Sequence, residues 1–241
     1  IYNSLREGRA GIGQLEFPDI TRLKVKTGGQ IKNFDPSKHF EFKQVSRTDR
    51  FSQFALLAAK EAIANAGLEN CKEEWPENAG VILGSSIGGI ETINYSYKQV
   101  FEKGHNRLHP LTIPKIMNNS ATSLISIEYH IQGPSFTVSS ACSSANHAMG
   151  IAYETIKSGK SKILITGGSE SFLSFGGIKP WESLRVLSQS KCRPFSRGRD
   201  GLVHGEGAGI FVFESLASAK KRKADIIAEV VGFAMSSDAS D

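Results

Sequence analysis

The sequence predicts an α/β fold built on a mainly parallel sheet, because short apolar runs alternate with segments of helical periodicity along the chain. Residues 79–83 and 163–165 are apolar runs of strand length, and a glycine follows soon after each one. With 241 residues, of which 39% are hydrophobic, the chain can bury a sizeable core as one large domain or two small ones.

The elements follow from periodicity and from the residues that start and stop helices. The first 50 residues are predicted to be irregular, since they are rich in glycine and contain an Asp35-Pro36 turn. Thr48 or Asp49 can cap the first helix. The predicted order is helix 51–66, strand 79–83, amphipathic segment 90–101, helix 114–130, strand 136–139, a helix from 145 to the stop at Gly159, strand 162–166, strand 210–213, helix 215–222 and strand 226–233.

Cys142 is the residue whose predicted position most favours a catalytic role. It lies where the predicted strand 136–139 runs into the helix that starts near Ala145. The N–H groups and the dipole at a helix N-terminus favour a thiolate, and the same N–H groups can hold an oxyanion if the sulfur attacks a carbonyl. Small neighbours leave room for a substrate. Two interpretations stay open on local chemistry alone, a nucleophile or a buried, inert cysteine.

No residue in the sequence is an obvious base for this cysteine. His147 is five residues beyond Cys142, about 140° around a helix, and is predicted to point elsewhere. His204 precedes a glycine-rich turn and is harder to dismiss, whereas the others are predicted to be surface or capping residues (His39, His105, His109 and His130). No histidine pair has metal-ligand spacing with a third ligand, so no metal site is predicted.

Other polar candidates are assigned structural roles. Asp200 and Glu206 are expected to pair with Arg197 or Arg199, or to cap a turn, rather than to do acid/base chemistry. The serines around Cys142 lack the GxSxG pattern of a nucleophile elbow. The glycine-rich link over residues 84–89 lacks the Lys-Ser/Thr of a phosphate-binding loop, so nucleotide binding is poorly supported.

Composition limits the class of protein. The three cysteines are widely separated and form no CxxC pair, which fits a reducing compartment rather than a disulfide scaffold. No apolar run of membrane-spanning length and no signal peptide occur, so a cytoplasmic location is expected and membrane binding is not. The net charge of +5 is spread along the chain, which favours an acidic protein partner over nucleic acid.

A set of short motifs occurs in one order along nearly the whole chain. They are Gly84-Ser85-Ser86-Ile87-Gly88-Gly89, Gly133-Pro134-Ser135, Ser140-Ala141-Cys142-Ser143-Ser144, Gly167-Gly168-Ser169-Glu170, Arg193-Pro194-Phe195, Arg199-Asp200-Gly201, Gly205-Glu206-Gly207-Ala208-Gly209 and Ser236-Ser237-Asp238-Ala239. In this order they resemble the β-ketoacyl synthases, the decarboxylating condensing enzymes of fatty-acid and polyketide synthesis. The sequence is most similar to the elongating enzymes of dissociated, type II systems.

The resemblance implies a fold and a boundary. The fold is a thiolase-like layered α/β/α/β/α arrangement, of which this chain would form the N-terminal half of a duplicated architecture, usually in a homodimer. Residues 1–241 are expected to be the N-terminal domain without its extreme N-terminal strand and without the C-terminal domain. No HGTGT-like or NHSFGFGG-like stretch occurs. The catalytic histidines are therefore expected outside this chain, which should be an incomplete fragment that does not condense substrates alone.

The resemblance also assigns roles to residues. Cys142 matches the nucleophile that takes an acyl chain from acyl carrier protein, after which malonyl-carrier protein decarboxylates and attacks the thioester to give a 3-oxoacyl product. The Cys142 backbone N–H would be one oxyanion donor. Ile87 and Trp181 match positions that line or gate the acyl pocket, and Trp181 is bulkier than the Phe often found there. No cofactor is implied.

Partner binding is implied at three basic positions. Arg47, Arg107 and Arg185 fall at or beside family positions that meet the acidic carrier protein, which gives the positive charge a use. Two other functions remain alternatives: a non-catalytic partner subunit of the chain-length-factor kind, and a module that binds acyl carrier protein without chemistry. The presence of Cys142 argues against a chain-length factor, since such subunits usually replace the nucleophile.

Overall fold

A four-stranded sheet forms the centre of the molecule, which a computed structural model describes over residues 2–69, 75 and 77–240. The spatial order of its strands is β4-β3-β5-β6. Strands β3, β4 and β5 run parallel, and β6 runs antiparallel to β5. The mainly parallel sheet is thus confirmed, with one reversed strand. The strands are β3 (Gly80–Gly84), β4 (Ser135–Val138), β5 (Ile163–Glu170) and β6 (Gly207–Glu214), with a separate pair of β1 (Gly13–Gln14) and β2 (Thr27–Gly28).

Helices connect and cover these strands. They are α1 (Tyr2–Arg6), α2 (Phe42–Arg47), α3 (Arg50–Asn65), α4 (Ile90–Tyr97), α5 (Thr112–Ile116), α6 (Ser120–Tyr129), α7 (Ser144–Lys157), α8 (Phe175–Ser183) and α9 (Leu216–Lys221). Two 3₁₀ turns lie at Ile20–Arg22 and Pro36–Lys38, and a π-helical turn, Lys98–Glu102, extends α4. The first 50 residues are therefore less irregular than predicted.

Helices pack against both faces of the sheet. Helices α3 and α6 pack on one face, where Phe51, Ile125 and Val81 are completely buried. Helix α7 packs on the other face, where Ala148 and Ala152 meet buried residues of β3 and β5. The sheet is thus enclosed between helix layers.

The cap of α3 is Asp49, one of the two residues that the sequence allowed. Its carboxylate accepts a hydrogen bond from the Phe51 N–H at 3.4 Å, and the Ser52 hydroxyl accepts one from the Asp49 N–H at 3.2 Å. This reciprocal arrangement satisfies N–H groups that have no partner within the helix. Thr48 instead donates its hydroxyl to the Gln44 carbonyl, at the end of α2.

Two predicted elements are wrong. The single helix over 114–130 is two helices, because the chain leaves helical geometry at Met117, whose backbone is extended. Residues 226–233 do not form a strand, since no neighbouring strand of the described chain offers them a ladder. They lie against α7 instead, where the Tyr153 hydroxyl donates to the Val231 carbonyl at 3.2 Å and the Phe233 ring covers Gly150.

Candidate active site

Cys142 lies in a turn at the carboxyl end of β4, two residues before the start of α7, and it is exposed. Ser143 is the residue that precedes the helix. Ala141 has a φ of 50°, which a residue with a side chain rarely adopts. The predicted strand-to-helix turn is therefore present, whereas the alternative of a buried cysteine is wrong.

Serine side chains hold the turn in this shape. The Ser144 hydroxyl donates to the Ala141 carbonyl at 2.6 Å and accepts from the Ser140 N–H at 2.9 Å. The Ser143 hydroxyl donates to the Ser140 carbonyl at 2.7 Å. These bonds satisfy backbone groups on both sides of Cys142, so the turn that presents the thiol is fixed by its own neighbours.

Two glycines let the start of α7 approach the sheet. A Cβ on Gly84, the last residue of β3, would lie 2.3 Å from the Ala145 nitrogen. A Cβ on Gly168 of β5 would lie 2.6 Å from the Ala145 Cβ. Neither position leaves room for a side chain. The two strand ends therefore serve as a floor against which the helix start is seated.

The Glu170 carboxylate organises the loop that follows β3. It accepts hydrogen bonds from the Ser86 N–H at 2.7 Å, from the Ser86 hydroxyl and from the Ile87 N–H at 3.4 Å. The Asn118 amide donates to the Ser86 carbonyl at 3.3 Å and to the Ser139 hydroxyl at 3.5 Å. This network joins the carboxyl ends of β3, β4 and β5. The Cys142 turn and the Ile87 loop consequently belong to one edge of the sheet, where α/β proteins place their sites.

His147 reaches the turn through Ser140 and not through the thiol. Its Nδ1 lies 2.7 Å from the Ser140 hydroxyl oxygen, and its ring packs edge-to-face on Phe233 at 6.2 Å between ring centroids. Among the described histidines, none forms a hydrogen bond with Cys142. The sequence did not predict the contact between His147 and Ser140. Side chains in a helix tilt towards its N-terminus, so a side chain in the first turn can reach residues that precede the helix.

A buried ion pair lies beside the same edge. Arg50 donates from its Nε to one Glu206 oxygen at 2.9 Å and from its Nη2 to the other at 2.7 Å, and the Glu206 side chain is completely buried. The Ser171 hydroxyl adds a bond to Glu206 at 2.7 Å. The expectation that Glu206 would pair with Arg197 or Arg199 is therefore wrong, because its partner is remote in the sequence.

Two further carboxyls surround Arg50. The pKa of Glu91 is raised to about 7, mainly by burial and in addition by the nearby Asp49 charge, while Arg50 opposes the shift. Burial also raises the pKa of Asp49, against the hydrogen bonds that Asp49 accepts from the Thr92 N–H at 2.9 Å and the Thr92 hydroxyl at 2.6 Å. One guanidinium thus faces three acidic groups, and burial favours the protonated form of Glu91.

The two residues that the family resemblance assigned to an acyl pocket, Ile87 and Trp181, lie in different surroundings. Ile87 is half-buried in the loop that Glu170 holds. Trp181 lies in α8, and its ring packs edge-to-face on His204 at 4.8 Å between centroids. No hydrogen bond or ring contact links Trp181 to Ile87 or to Cys142 within the described residues. Their roles in a pocket stay predictions.

The three predicted carrier-binding arginines are all exposed. Arg47 ends α2, Arg107 lies between the π-helical turn and α5, and Arg185 follows α8 in a left-handed conformation with a φ of 58°. None of the three forms an ion pair within the described residues. Their charges are available to a partner, which leaves the prediction untested.

The remaining predictions concern isolated residues. Asp200 pairs with Arg193, whose Nη2 lies 3.1 Å from it, and not with Arg197 or Arg199. Cys192 is exposed and free, while Cys71 lies outside the described residues. The described part of the chain contains no group of three metal-ligating side chains. Within that part, every helix is too short or too polar to cross a membrane.

The family model described as β-ketoacyl synthase, N-terminal domain, matches residues 1–219 of this chain. The chain belongs to the β-ketoacyl synthase family. A chain titled the ishigamide ketosynthase/chain length factor superposes with a TM-score of 0.91 at 28% identity, over 99% of this chain and 59% of that one. The resemblance and the thiolase-like layered α/β fold predicted from the motifs are both confirmed.

The proteins similar to this synthase-family chain include a nodulation protein, a 3-oxoacyl-[acyl-carrier-protein] synthase and a polyketide ketosynthase. It is 40% identical to nodulation protein E of Rhizobium sp. (strain N33) and 38% identical to 3-oxoacyl-[acyl-carrier-protein] synthase 2 of Staphylococcus aureus, in both cases over 99% of its own length. The ketosynthase of AntDE:AntF, a complex with a type II polyketide acyl-carrier protein, superposes with a TM-score of 0.76 at 26% identity, over 93% of this chain and 55% of that one. The chain spans about three fifths of the curated relatives, 59% of the first and 60% of the second.

Proposed function

We propose that this chain supplies the acyl-accepting cysteine of a 3-oxoacyl-[acyl-carrier-protein] synthase, an acyltransferase that extends an acyl chain by decarboxylative condensation. The observation that carries the proposal is the exposed Cys142, held in a braced turn at the start of α7. A thiol in this position is accessible to a thioester, and N–H groups at the helix start can hold the oxyanion that forms when the sulfur attacks.

The first step is transfer of the acyl group. The Cys142 thiolate attacks the thioester carbonyl of acyl carrier protein, and the new S–C bond creates a tetrahedral oxyanion near the Cys142 N–H. The intermediate then expels the thiolate of the carrier and leaves the acyl chain on Cys142. Carbon–carbon bond formation needs groups that stabilise decarboxylating malonyl thioester. We place those groups outside residues 1–241, which we assign to the N-terminal domain.

Substrate and carrier would meet different surfaces. Ile87 and Trp181 are proposed to border the acyl chain, and the exposed Arg47, Arg107 and Arg185 are proposed to contact an acidic carrier protein. The AntDE:AntF complex supports a carrier as the partner of a ketosynthase of this fold. Exchange of Arg107 for Glu should weaken carrier binding and leave alkylation of Cys142 unchanged. Unchanged affinity for the carrier would remove Arg107 from the docking surface.

A second copy of the chain is the proposed partner at β4. This strand pairs on one side only, with β3, and its Ser135 and Phe136 are exposed. An unpaired strand edge of this kind can be covered by the same strand of another protomer. The exposed, free thiols of Cys142 and Cys192 suit a reducing compartment, which makes the cytoplasm the proposed location.

The alternative is a non-catalytic partner subunit that binds the acyl carrier or resembles a chain-length factor, and the similarity to the ishigamide ketosynthase/chain length factor is the observation that favours it. Incubation with acyl-carrier protein, followed by intact mass and peptide mapping, separates the two. An acyl adduct on Cys142 that is lost in Cys142→Ala and kept in Cys192→Ala supports the nucleophile. Carrier binding with no adduct supports the alternative, provided that circular dichroism shows each variant folded.

A further inference from the structure

Three aromatic rings pack together where the end of β5, helix α8 and the segment before β6 meet. The His204 imidazole lies edge-to-face against Phe172 at 4.7 Å and against Trp181 at 4.8 Å between ring centroids. Phe172 follows β5 by two residues, and His204 precedes β6 by three. The histidine therefore lies between the other two rings, and any movement of the Trp181 indole towards Phe172 meets the imidazole.

Each ring is carried by a fixed piece of backbone. The His204 carbonyl accepts from the Gly29 N–H at 2.7 Å. Ser171, the residue before Phe172, donates to Glu206, which Arg50 also holds. These bonds join the segments of Phe172 and His204 across the sheet edge.

The Trp181 segment has an anchor of its own. Glu182 follows Trp181, and its carboxylate accepts from the Lys24 N–H at 2.5 Å and from the Val25 N–H at 3.2 Å. The helix end that carries the indole is thus tied to the N-terminal segment. The remaining freedom of Trp181 is rotation of its side chain, and the His204 ring limits that rotation.

His204 contacts its neighbours through the faces and edges of its aromatic ring, and not through a hydrogen bond from Nε2. Its Nε2 is buried and forms no hydrogen bond with any described residue. Burial lowers the pKa of His204, so the neutral form is favoured. A neutral imidazole without a partner at Nε2 contributes shape and aromatic contact, and a ring of similar size without nitrogen can replace it.

We propose that His204 is a positioning residue that fixes the Trp181 indole and thereby sets the length of acyl chain accepted at Cys142. The inference rests on the proposed function, because it takes Trp181 as a wall of the acyl pocket. The link to the site runs through β5: Glu170, which holds the Ile87 loop, is two residues from Phe172. The end of β5 therefore contacts the Ile87 loop directly, through Glu170, and reaches Trp181 through Phe172 and His204.

Three variants test this role through the acyl adduct on Cys142, measured by intact mass across carrier-bound chains of increasing length. His204→Ala should change the ratio of long-chain to short-chain adduct by about tenfold, the scale on which pockets discriminate methylene groups. His204→Phe should keep the original ratio, because it restores a ring. In a Trp181→Phe background, His204→Ala should have no further effect, since its action passes through the indole.

Two results overturn the proposal. The first is an unchanged length profile in His204→Ala, and the second is a His204→Phe profile that matches His204→Ala, which would assign the role to the imidazole nitrogen. A second measurement does not depend on an adduct. Acrylamide quenching of Trp181 fluorescence, with the Trp75 signal taken from Trp181→Phe, should increase in His204→Ala and stay unchanged in His204→Phe.

The failures of the two proposals are distinguishable. If the unaltered chain forms no adduct, the proposed function fails, and the quenching experiment still decides whether His204 positions the indole. If the adduct forms but its length profile ignores His204, the proposed function stands and this inference fails. Unchanged quenching in His204→Ala contradicts the inference in either case.

Discussion

The two exposed cysteines of the described chain lie in contrasting surroundings. Cys142 lies in a turn whose flanking backbone is bonded to buried Ser144 and seated against β3 and β5. Cys192 lies in a loop over residues 189–200 in which every residue is exposed. That loop includes Phe195, with a φ of 63° and an exposed fraction of 98%.

Accessibility alone does not make either cysteine a site. Both thiols can be reached, but the Cys142 turn is seated against the sheet by close backbone contacts, whereas the buried Ser188 holds the Cys192 loop only near its ends, at Ser190 and Asp200. The loop of Cys192 is held by the Arg193–Asp200 pair, whose side chains are 40% and 45% exposed. Variants that remove these contacts one at a time can test whether the contacts of the two regions differ in their contribution to the free energy of unfolding.

The largest effect is expected at the buried ion pair beside the sheet edge. Arg50→Ala leaves the fully buried Glu206 carboxylate without its cation and should lower the free energy of unfolding by about 3–5 kcal/mol. Arg193→Ala is the matched change in the Cys192 loop and should have little measurable effect. Urea titration of the three proteins measures both values. Equal losses would contradict the contrast.

A smaller loss is expected where α7 meets the sheet. Gly84→Ala places a Cβ 2.3 Å from the Ala145 nitrogen and should cost about 1–3 kcal/mol of unfolding free energy, because backbone has to move. Gly198→Ala is the control, since its Cβ would have only the Arg193 Nη1 nearby, at 3.8 Å. Thermal unfolding gives the stabilities, and iodoacetamide alkylation mapped by peptide should show altered reactivity at Cys142 only.

The hydrogen bonds of the turn are expected to contribute less again. Ser144→Ala removes the bond to the Ala141 carbonyl and leaves the Ser140 N–H unsatisfied, at a cost of about 1–2 kcal/mol. Ser190→Ala removes an exposed bond to Asp200 and should be close to neutral. Denaturation midpoints compare the two variants. A neutral Ser144→Ala would mean that the turn keeps its shape without this side chain.

The smallest effect is a pH dependence at Glu91. Its pKa in the folded protein is about 7 against an ordinary 4.5, so the folded state holds a proton that the unfolded state releases as pH rises between these values. Glu91 therefore reduces stability progressively over that range, by about 1 kcal/mol after allowance for partial exposure.

Replacement of Glu91 by Gln, which cannot ionise, tests the sign. Glu91→Gln should unfold at a higher temperature than the unaltered chain at pH 8 and at a similar temperature at pH 4.5. Glu61→Gln, at an exposed position of α3, is the control and should follow the unaltered chain throughout. A melting-temperature difference that does not vary with pH would contradict the raised pKa of Glu91.

Local sequence predicted the parts of the site that depend on neighbours in the chain. The period change at Cys142 located the strand, the turn and the helix, since these are set by apolar spacing and small residues over a few positions. The same reasoning failed for residues 226–233, because an apolar run becomes a strand only where another strand is available. It also failed for helix 114–130, which is interrupted at Met117.

The partners of charged residues could not be obtained in this way. Glu206 was expected to pair with a nearby arginine and pairs with Arg50 instead, 156 positions away. Glu170 ends a strand parallel to β3, and only that pairing brings its carboxylate to Ser86. Such contacts depend on which strands are neighbours in the sheet. Sequence patterns over a few residues do not specify that order.

By itself, the sequence determined the family, the alternation of strands and helices, and the strand-to-helix turn that carries Cys142. These follow from motif order and from periodicities that act within a few residues. The tertiary structure decided the order of the strands, the charges around Arg50 and the rings around His204. The physical reason is that buried ions and aromatic contacts are selected by folding of the whole chain, which brings distant segments together out of water.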